Sequence, residues 1–255
     1  MASDMLVLRK QRGNPLGVEV RRLGSTVALL MRAAPGWEFN RVIGLASDQY
    51  ERLDEMADWY ARKDVRCYVE SVPTLTSASD LRLLADKGFW QVSFHSVLYG
   101  VPAGGLRGTA TGVEVLEAGD SDMVEFAEMY MVYFSLSDDV VEGAKANVAA
   151  EYRQPGWRLY IATVDARPAA FGVLHEHDGI GSLAGAATLP EFRGRGCQSA
   201  LLARRIADAT ADGCELVVSQ AMPGSSSHRN MERAGLRVAY TKGIWEQARG
   251  EGVGC

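Results

Sequence analysis

Residues 65–100 and 212–247 can be laid over one another without a gap, and this repeat constrains the fold more than any other feature of the sequence. VRCYVESVPTLTSASDLRLLADKGFWQVSFHSVLYG falls on DGCELVVSQAMPGSSSHRNMERAGLRVAYTKGIWEQ, so that Cys67 meets Cys214 and Gly88 meets Gly235. Each unit reads as strand, helix, glycine stop, strand. The match can be carried back to residue 37, where FNRVIGLA reads as a strand and Leu53, Met56, Ala57 and Tyr60 as one face of a following helix. The reading is a divergent tandem duplication, with chance likeness of two such units as the alternative.

Between the two parts runs GVPAGGLRGTATG, rich in glycine and small polar residues and without an apolar period, as in a linker. The expected division is a degenerate N-terminal copy at 1–100, a linker at 101–111 and a second domain at 112–255. In that domain TGVEVLEAG reads as a strand, Ser121 or Asp122 as the cap of a helix carrying Met123, Phe126, Ala127, Tyr130 and Phe134, and 138–152 as a second helix. WRLYIATV, PAAFGVLHEH and GSLAGAATL then alternate as strands joined by the short turns DAR and DG, an antiparallel meander. From Arg193 the period becomes helical through Leu201, Leu202, Ile206 and Ala209 and ends near Gly213; CELVVSQA follows as a buried strand. Serines 225–227 cap a short helix that Gly235 stops, before LRVAY and a final strand around Trp245. The fold class is α+β, a mixed sheet with helices.

Composition sets the boundaries on function. With 47% apolar and 23% charged residues the chain has the makings of a folded core, and a net charge of −5 argues against binding a phosphate backbone, so no nucleic-acid partner is expected. MASDMLVLRKQRG is not a secretory signal, and no run approaches the roughly 20 apolar residues that span a bilayer, so the expected location is cytoplasmic, away from membranes. Cys67, Cys197, Cys214 and Cys255 are widely separated, and His175 with His177 lack a third ligand, so neither a disulfide framework nor a metal site is expected.

The segment that carries chemistry is ATLPEFRGRGCQSALLARRIA: a strand, a proline-containing turn, Arg193-Gly194-Arg195-Gly196, and an amphipathic helix. Glycines let successive backbone N–H groups approach an anion, the helix start adds unpaired donors and a positive dipole end, and Arg193 and Arg195 can add charge-assisted bonds. No Gly-Lys-Ser/Thr follows, which excludes a P-loop. Gly194-x-Gly196-x-x-Ser199, with Glu215 further on, approximates a dinucleotide fingerprint, but Pro190 to Arg193 separate the strand from the first glycine and the preceding strands read as a meander. A purely structural turn is the third reading.

These residues and the order of elements over about 112–248 resemble the GNAT superfamily of acyl-CoA N-acyltransferases. Its signature, Arg/Gln-x-x-Gly-x-Gly/Ala, is met by Arg193, Gly194, Arg195, Gly196 and Cys197, with Gln198 in place of the final small residue. SSSHRNMERAGLRVAYTKGIW is similar to the superfamily's asparagine-containing last helix and the Gly-Phe after it, with Leu236 for the aromatic. The resemblance implies a GNAT acyltransferase fold, here in tandem, with acetyl-CoA as co-substrate and no metal. Ala187, Thr188 and Leu189 would meet the pantetheine arm, residues 193–199 (Arg193, Gly194, Arg195, Gly196, Cys197, Gln198, Ser199) the pyrophosphate, and Asn230 would approach from the next helix or serve only as a bridge.

Two departures bear on mechanism. Where many members carry a tyrosine that protonates the leaving thiolate, this chain has Met231; His228 and Tyr240 are the substitutes to consider, against roles in surface and packing. GSLAGAATL lacks the glutamate that many members use as base, which leaves the strand face of His175 and His177, or Glu176 opposite, with solvent-exposed alternation as the plain alternative. Positioning two substrates can carry an aminolysis without either group. The N-terminal copy has QYERLDEM where the signature would stand, so it should not hold CoA and instead completes the sheet, shapes the acceptor pocket or forms a subunit contact. The function implied is transfer of an acyl group, acetyl first, from acyl-CoA to a primary amine of a small molecule or peptide in a ternary complex. A non-catalytic acyl-CoA-binding module or sensor and a dinucleotide-binding oxidoreductase are the alternatives, and a homodimer is an open assembly.

Overall fold

The computed structural model describes residues 13–14, 16–34, 36–102, 112–134 and 152–248, so the linker beyond residue 102 and the helix expected at 138–152, apart from Tyr152, lie outside the described residues. Among the described residues five α-helices and a mixed set of strands follow the order β1 (Val18–Leu23), β2 (Thr26–Met31), β3 (Arg41–Ile43), α1 (Leu53–Ala61), β4 (Tyr68–Ser71), α2 (Ala78–Asp86), β5 (Phe89–Gly100), β6 (Val113–Glu117), α3 (Met123–Phe134), β7 (Trp157–Val164), β8 (Arg167–His177), β9 (Ile180–Thr188), α4 (Cys197–Ala211), β10 (Leu216–Ala221), α5 (Ser226–Arg233) and β11 (Arg237–Gln247). The chain divides into two units that are not consecutive in sequence: Met1–His95 with Tyr240–Cys255, and Ser96–Ala239. Both β5 and β11 therefore change unit along their length.

In the first unit the strand order is β1-β2-β3-β4-β11. The β1/β2 hairpin, which the repeat did not foretell, pairs Val18 with Met31 through Leu23 with Thr26. Only the β3/β4 step is parallel, and Gly243 to Glu246 of β11 run antiparallel to Ser71 to Tyr68. Helix α1 buries Leu53, Met56, Ala57, Trp59 and Tyr60, one face at helical spacing, and Tyr60 donates to the Leu29 carbonyl at 2.6 Å. Trp59, Tyr60 and Phe89 are spent on this unit's own core, whereas Trp90 is 61% exposed. Ser77 and Asp80 close a capping box at α2. Glu70 is buried between Arg41 Nε (3.1 Å) and Lys242 Nζ (2.8 Å).

The loop after β2 is pinned by one side chain. Asn40 is fully buried; its Oδ1 accepts from Met31 N–H (2.8 Å), and its Nδ2 donates to the carbonyls of Ala34 (2.5 Å) and Gly36 (3.1 Å). Asn40→Ala strips partners from three backbone groups, so a loss of about 2–4 kcal/mol is expected in urea unfolding, with the midpoint lowered and the slope unchanged. A loss below about 0.5 kcal/mol would show the loop to be held by other means.

In the second unit the order is β5-β10-β9-β8-β7-β6. The three-strand meander is present, and its tight turns place Asp165, Ala166 and Asp178 at positive φ, as two-residue hairpins require. Strand β10 is parallel to β9 and antiparallel to Ser96–Gly100 of β5. Helix α4 packs Leu201, Leu202, Ile206 and Ala209 into a core with Tyr160, Leu174, Leu183 and Val217, and Phe126 of α3 packs edge-on to Phe171 on a second cluster.

Two expectations about caps and ends are corrected. Asp122 lies in a 3-10 turn before α3 and turns back to accept from Gly119 N–H at 2.8 Å. LRVAY and the strand around Trp245, expected as two strands, are one: β11 runs unbroken from Arg237 to Gln247. Thr241-Lys242-Gly243 stays extended, because Gly243 sits in register with Ser71 and Lys242 reaches Glu70.

Candidate functional site

Strand β9 leaves its neighbour partway along. It pairs with β10 only from Ile180 to Ser182, and against β8 its register slips between Gly172↔Ala186 and Leu174↔Leu183. One residue of β8, Val173, thus faces two of β9, Ala184 and Gly185, which is a bulge. Where β9 parts from β10, Ser219 Oγ donates to the Leu183 carbonyl at 2.8 Å, satisfying a group that has lost its ladder partner.

Beyond the bulge lies a groove of about 710 Å³. One wall is Ala186, Ala187 and Thr188 at the end of β9; another is Arg193, Gly194, Gly196, Cys197, Gln198 and Ser199; a third is Ser226, Ser227, Arg229, Asn230 and Arg233 of α5. Gly194 (φ 79°) and Gly196 (φ 86°) take left-handed backbone, and Gly196 is the N-cap of α4 without any capping side chain. The first backbone bond of that helix runs from Ala200 N–H to the Gly196 carbonyl, so the N–H groups of residues 196–199 are left without a helical partner beside the groove. The dipole of a 15-residue helix adds positive potential there. Arg193, Arg229 and Arg233 line the groove and no carboxylate does among the described residues, so it is built for an anion.

A side-chain relay ties α4 to α5 along this wall. Gln198 Nε2 donates to Ser227 Oγ (2.6 Å), Asn230 Nδ2 donates to Gln198 Oε1 (2.6 Å), and Arg233 donates to Asn230 Oδ1 (2.7 Å). Gln198, the residue out of keeping with the signature, is the centre of the relay. Asn230 therefore bridges to α4 as well as bonding Arg233 within its own helix.

The other sequence candidates are dispersed. Leu189 does not line the groove; its N–H donates to the Ala169 carbonyl (2.9 Å) and its side chain packs against both clusters. Arg195 is drawn to Asp165 at 3.5 Å. His177 is exposed next to Asp178, and its ring stacks 6.3 Å from His175, which itself lies on Trp157. Glu176, on the opposite face, accepts from the Cys214 thiol, and burial raises its carboxyl above the usual range. His228 Nδ1 sits 3.4 Å from Glu232, and Met231 is buried in the core. Tyr240 belongs to the first unit, where burial and Glu70 raise its phenol. Among the described lining residues there is no histidine, tyrosine or carboxylate. No group of three metal-binding side chains occurs among the described residues, and no described helix is long and apolar enough to cross a membrane.

Residues 123–236 match the model of the acetyltransferase (GNAT) family. Comparison with curated proteins by sequence gives no match. The fold is shared with a GCN5-related N-acetyltransferase from Kribbella flavida, 17% identical over 97% of this chain and 96% of that one, at a TM-score of 0.66. One from Sphaerobacter thermophilus is 16% identical over 95% and 84%, at 0.63. A tandem GNAT protein from the clavulanic acid biosynthesis pathway is 15% identical over 95% and 86%, at 0.60. Sequence and architecture agree: residues 123–236 match the acetyltransferase (GNAT) family model, on a chain with the GNAT acyltransferase fold.

Proposed function

We propose that the groove holds acyl-CoA and that the chain transfers the acyl group, acetyl in the first instance, to a primary amine bound beside it. The observation that carries this reading is the continuity of the groove from the parted end of β9, past the unpartnered N–H groups of 196–199, to the arginines of α5. The pyrophosphate sits against the turn 193–199, the pantetheine runs along Ala186–Thr188, and the 112–255 segment supplies the site. The neutral amine attacks the thioester carbonyl and a C–N bond forms; the C–S bond then breaks, the amine proton is lost to solvent, and the CoA thiolate leaves and takes a proton from solvent. The N-terminal copy has no counterpart of the glycine turn, so one acyl-CoA per chain follows.

With no histidine, tyrosine or carboxylate among the described lining residues, proton removal falls to solvent and to the acceptor's own equilibrium. The expected kcat/KM then rises with pH and levels only above the acceptor amine's own pKa. It is measured by thiol release from acetyl-CoA over amino acids, aminoglycosides, polyamines and peptide N-termini. A plateau set at the same pH for amines of different basicity would reveal an enzymic base. The same lining favours a second reading, an acyl-CoA-binding module without turnover. That module binds acetyl-CoA in a calorimeter yet releases no thiol with any amine, whereas absence of binding to folded protein defeats both.

A further inference from the structure

Helix α4 buries an arginine that meets no acid among the described residues. Arg205 is 1% exposed, and its partners among the described residues are carbonyls: Leu201 (from Nε, 3.1 Å), Val173 (2.9 Å) and Ala184 (3.5 Å). A buried charge without a carboxylate is costly, and burial pulls the guanidinium down to about 10. An aliphatic residue would fill the same volume between helix and sheet without that cost. What it could not do is satisfy the carbonyls of Val173 and Ala184, the residues that face each other across the β8/β9 bulge. Space has been left for the guanidinium: a Cβ on Gly172 would stand 3.1 Å from both Cζ and Nε. The glycine preceding the bulge on β8 and the arginine beneath it form one device.

We propose that Arg205 is a positioning residue for acyl transfer: by holding the bulge from the helix side it fixes where Ala186–Thr188 diverge from β10, and so aligns the pantetheine arm and its thioester. This rests on reading the groove as the acyl-CoA site. Arg205 lies outside the groove lining and acts only through β9. The two ends of the ligand should therefore respond differently. The nucleotide end needs the turn 193–199 and α5, which Arg205 does not hold; the pantetheine end needs the wedge.

The test compares binding of acetyl-CoA with that of adenosine 3′-phosphate 5′-diphosphate, the nucleotide portion alone, by calorimetry on the full chain. Arg205→Met is expected to weaken acetyl-CoA about tenfold or more while leaving the nucleotide within about twofold. Arg205→Lys, which restores one donor, should recover part of the loss. If Arg205→Met does not fold, Gly172→Ala displaces the guanidinium without removing it and should give the same split to a smaller degree. Equal weakening of both probes, or no weakening of either, in the variants that fold overturns the proposal. Failure of the wild-type chain to bind either probe overturns the acyl-CoA reading instead, and thereby the proposal with it.

Discussion

Expressed alone, residues 109–255 should give a chain that aggregates or melts without a cooperative transition, although they contain the whole matched family segment. The reason lies in which strands belong to which unit. Ser96–Gly100 of β5 forms five pairs with β10 and brings Leu98, fully buried, into the core of the second unit. Cutting at 109 removes that strand, bares the hydrogen-bonding edge of β10 and opens the core; losing one buried leucine side chain alone costs about 2–5 kcal/mol against a total stability of about 5–15 kcal/mol. At the other end Tyr240–Gln247 loses β4, so Ile244, fully buried, meets water, and Lys242 loses Glu70. Co-expression of 1–108 with 109–255 as separate chains should restore a soluble, co-purifying pair that binds acetyl-CoA. Thermal unfolding and size exclusion read both arms. A lone 109–255 fragment with the stability of the full chain would show that these exchanged strands contribute nothing.

What was legible in the sequence was local. The alternation of WRLYIATV and PAAFGVLHEH, the residues of the tight turns, Ser225 as a cap and the glycine turn before α4 each depend on neighbours a few residues away. What was not legible depends on partners far along the chain. The segment after Gly235 carries the same residues whether it folds back on itself or runs straight; β4, more than 160 residues earlier, settles the matter by taking Gly243–Glu246 as its neighbour. The β1/β2 hairpin precedes the repeat, and its second strand, TVALLM, is one continuous buried run without the alternation that marks a half-buried strand. Arg205 looks in sequence like one more charge on an amphipathic helix, next to Arg204, which does reach Asp208. Beyond the Leu201 carbonyl of its own helix, the bulge opposite gives the buried guanidinium its partners. Leu189 and Arg195 are named by position in the motif alone, which does not show that Leu189 N–H bonds to Ala169 or that Arg195 lies 3.5 Å from Asp165.

Gly196→Val should raise the Kd for acetyl-CoA at least about tenfold, roughly 1.4 kcal/mol. Gly196 sits at φ 86°, ψ 4°, a conformation a β-branched side chain occupies only under strain. Relief comes from rotating the peptide groups on either side, which carry two of the groove's free donors, the N–H groups of Gly196 and Cys197. A stability loss by itself would not identify the cause, so the companion variant is Gly213→Val, just past the other end of the same helix, at φ 78° with nothing within 4 Å of an added Cβ. Both substitutions carry the same kind of backbone penalty and both should lower the thermal midpoint. Only the first disturbs the anion-facing turn. Calorimetric titration of the two folded variants separates backbone strain from ligand access: a tenfold loss confined to Gly196→Val supports pyrophosphate binding at this turn, whereas equal affinities in the two would mean that the turn does not hold the cofactor.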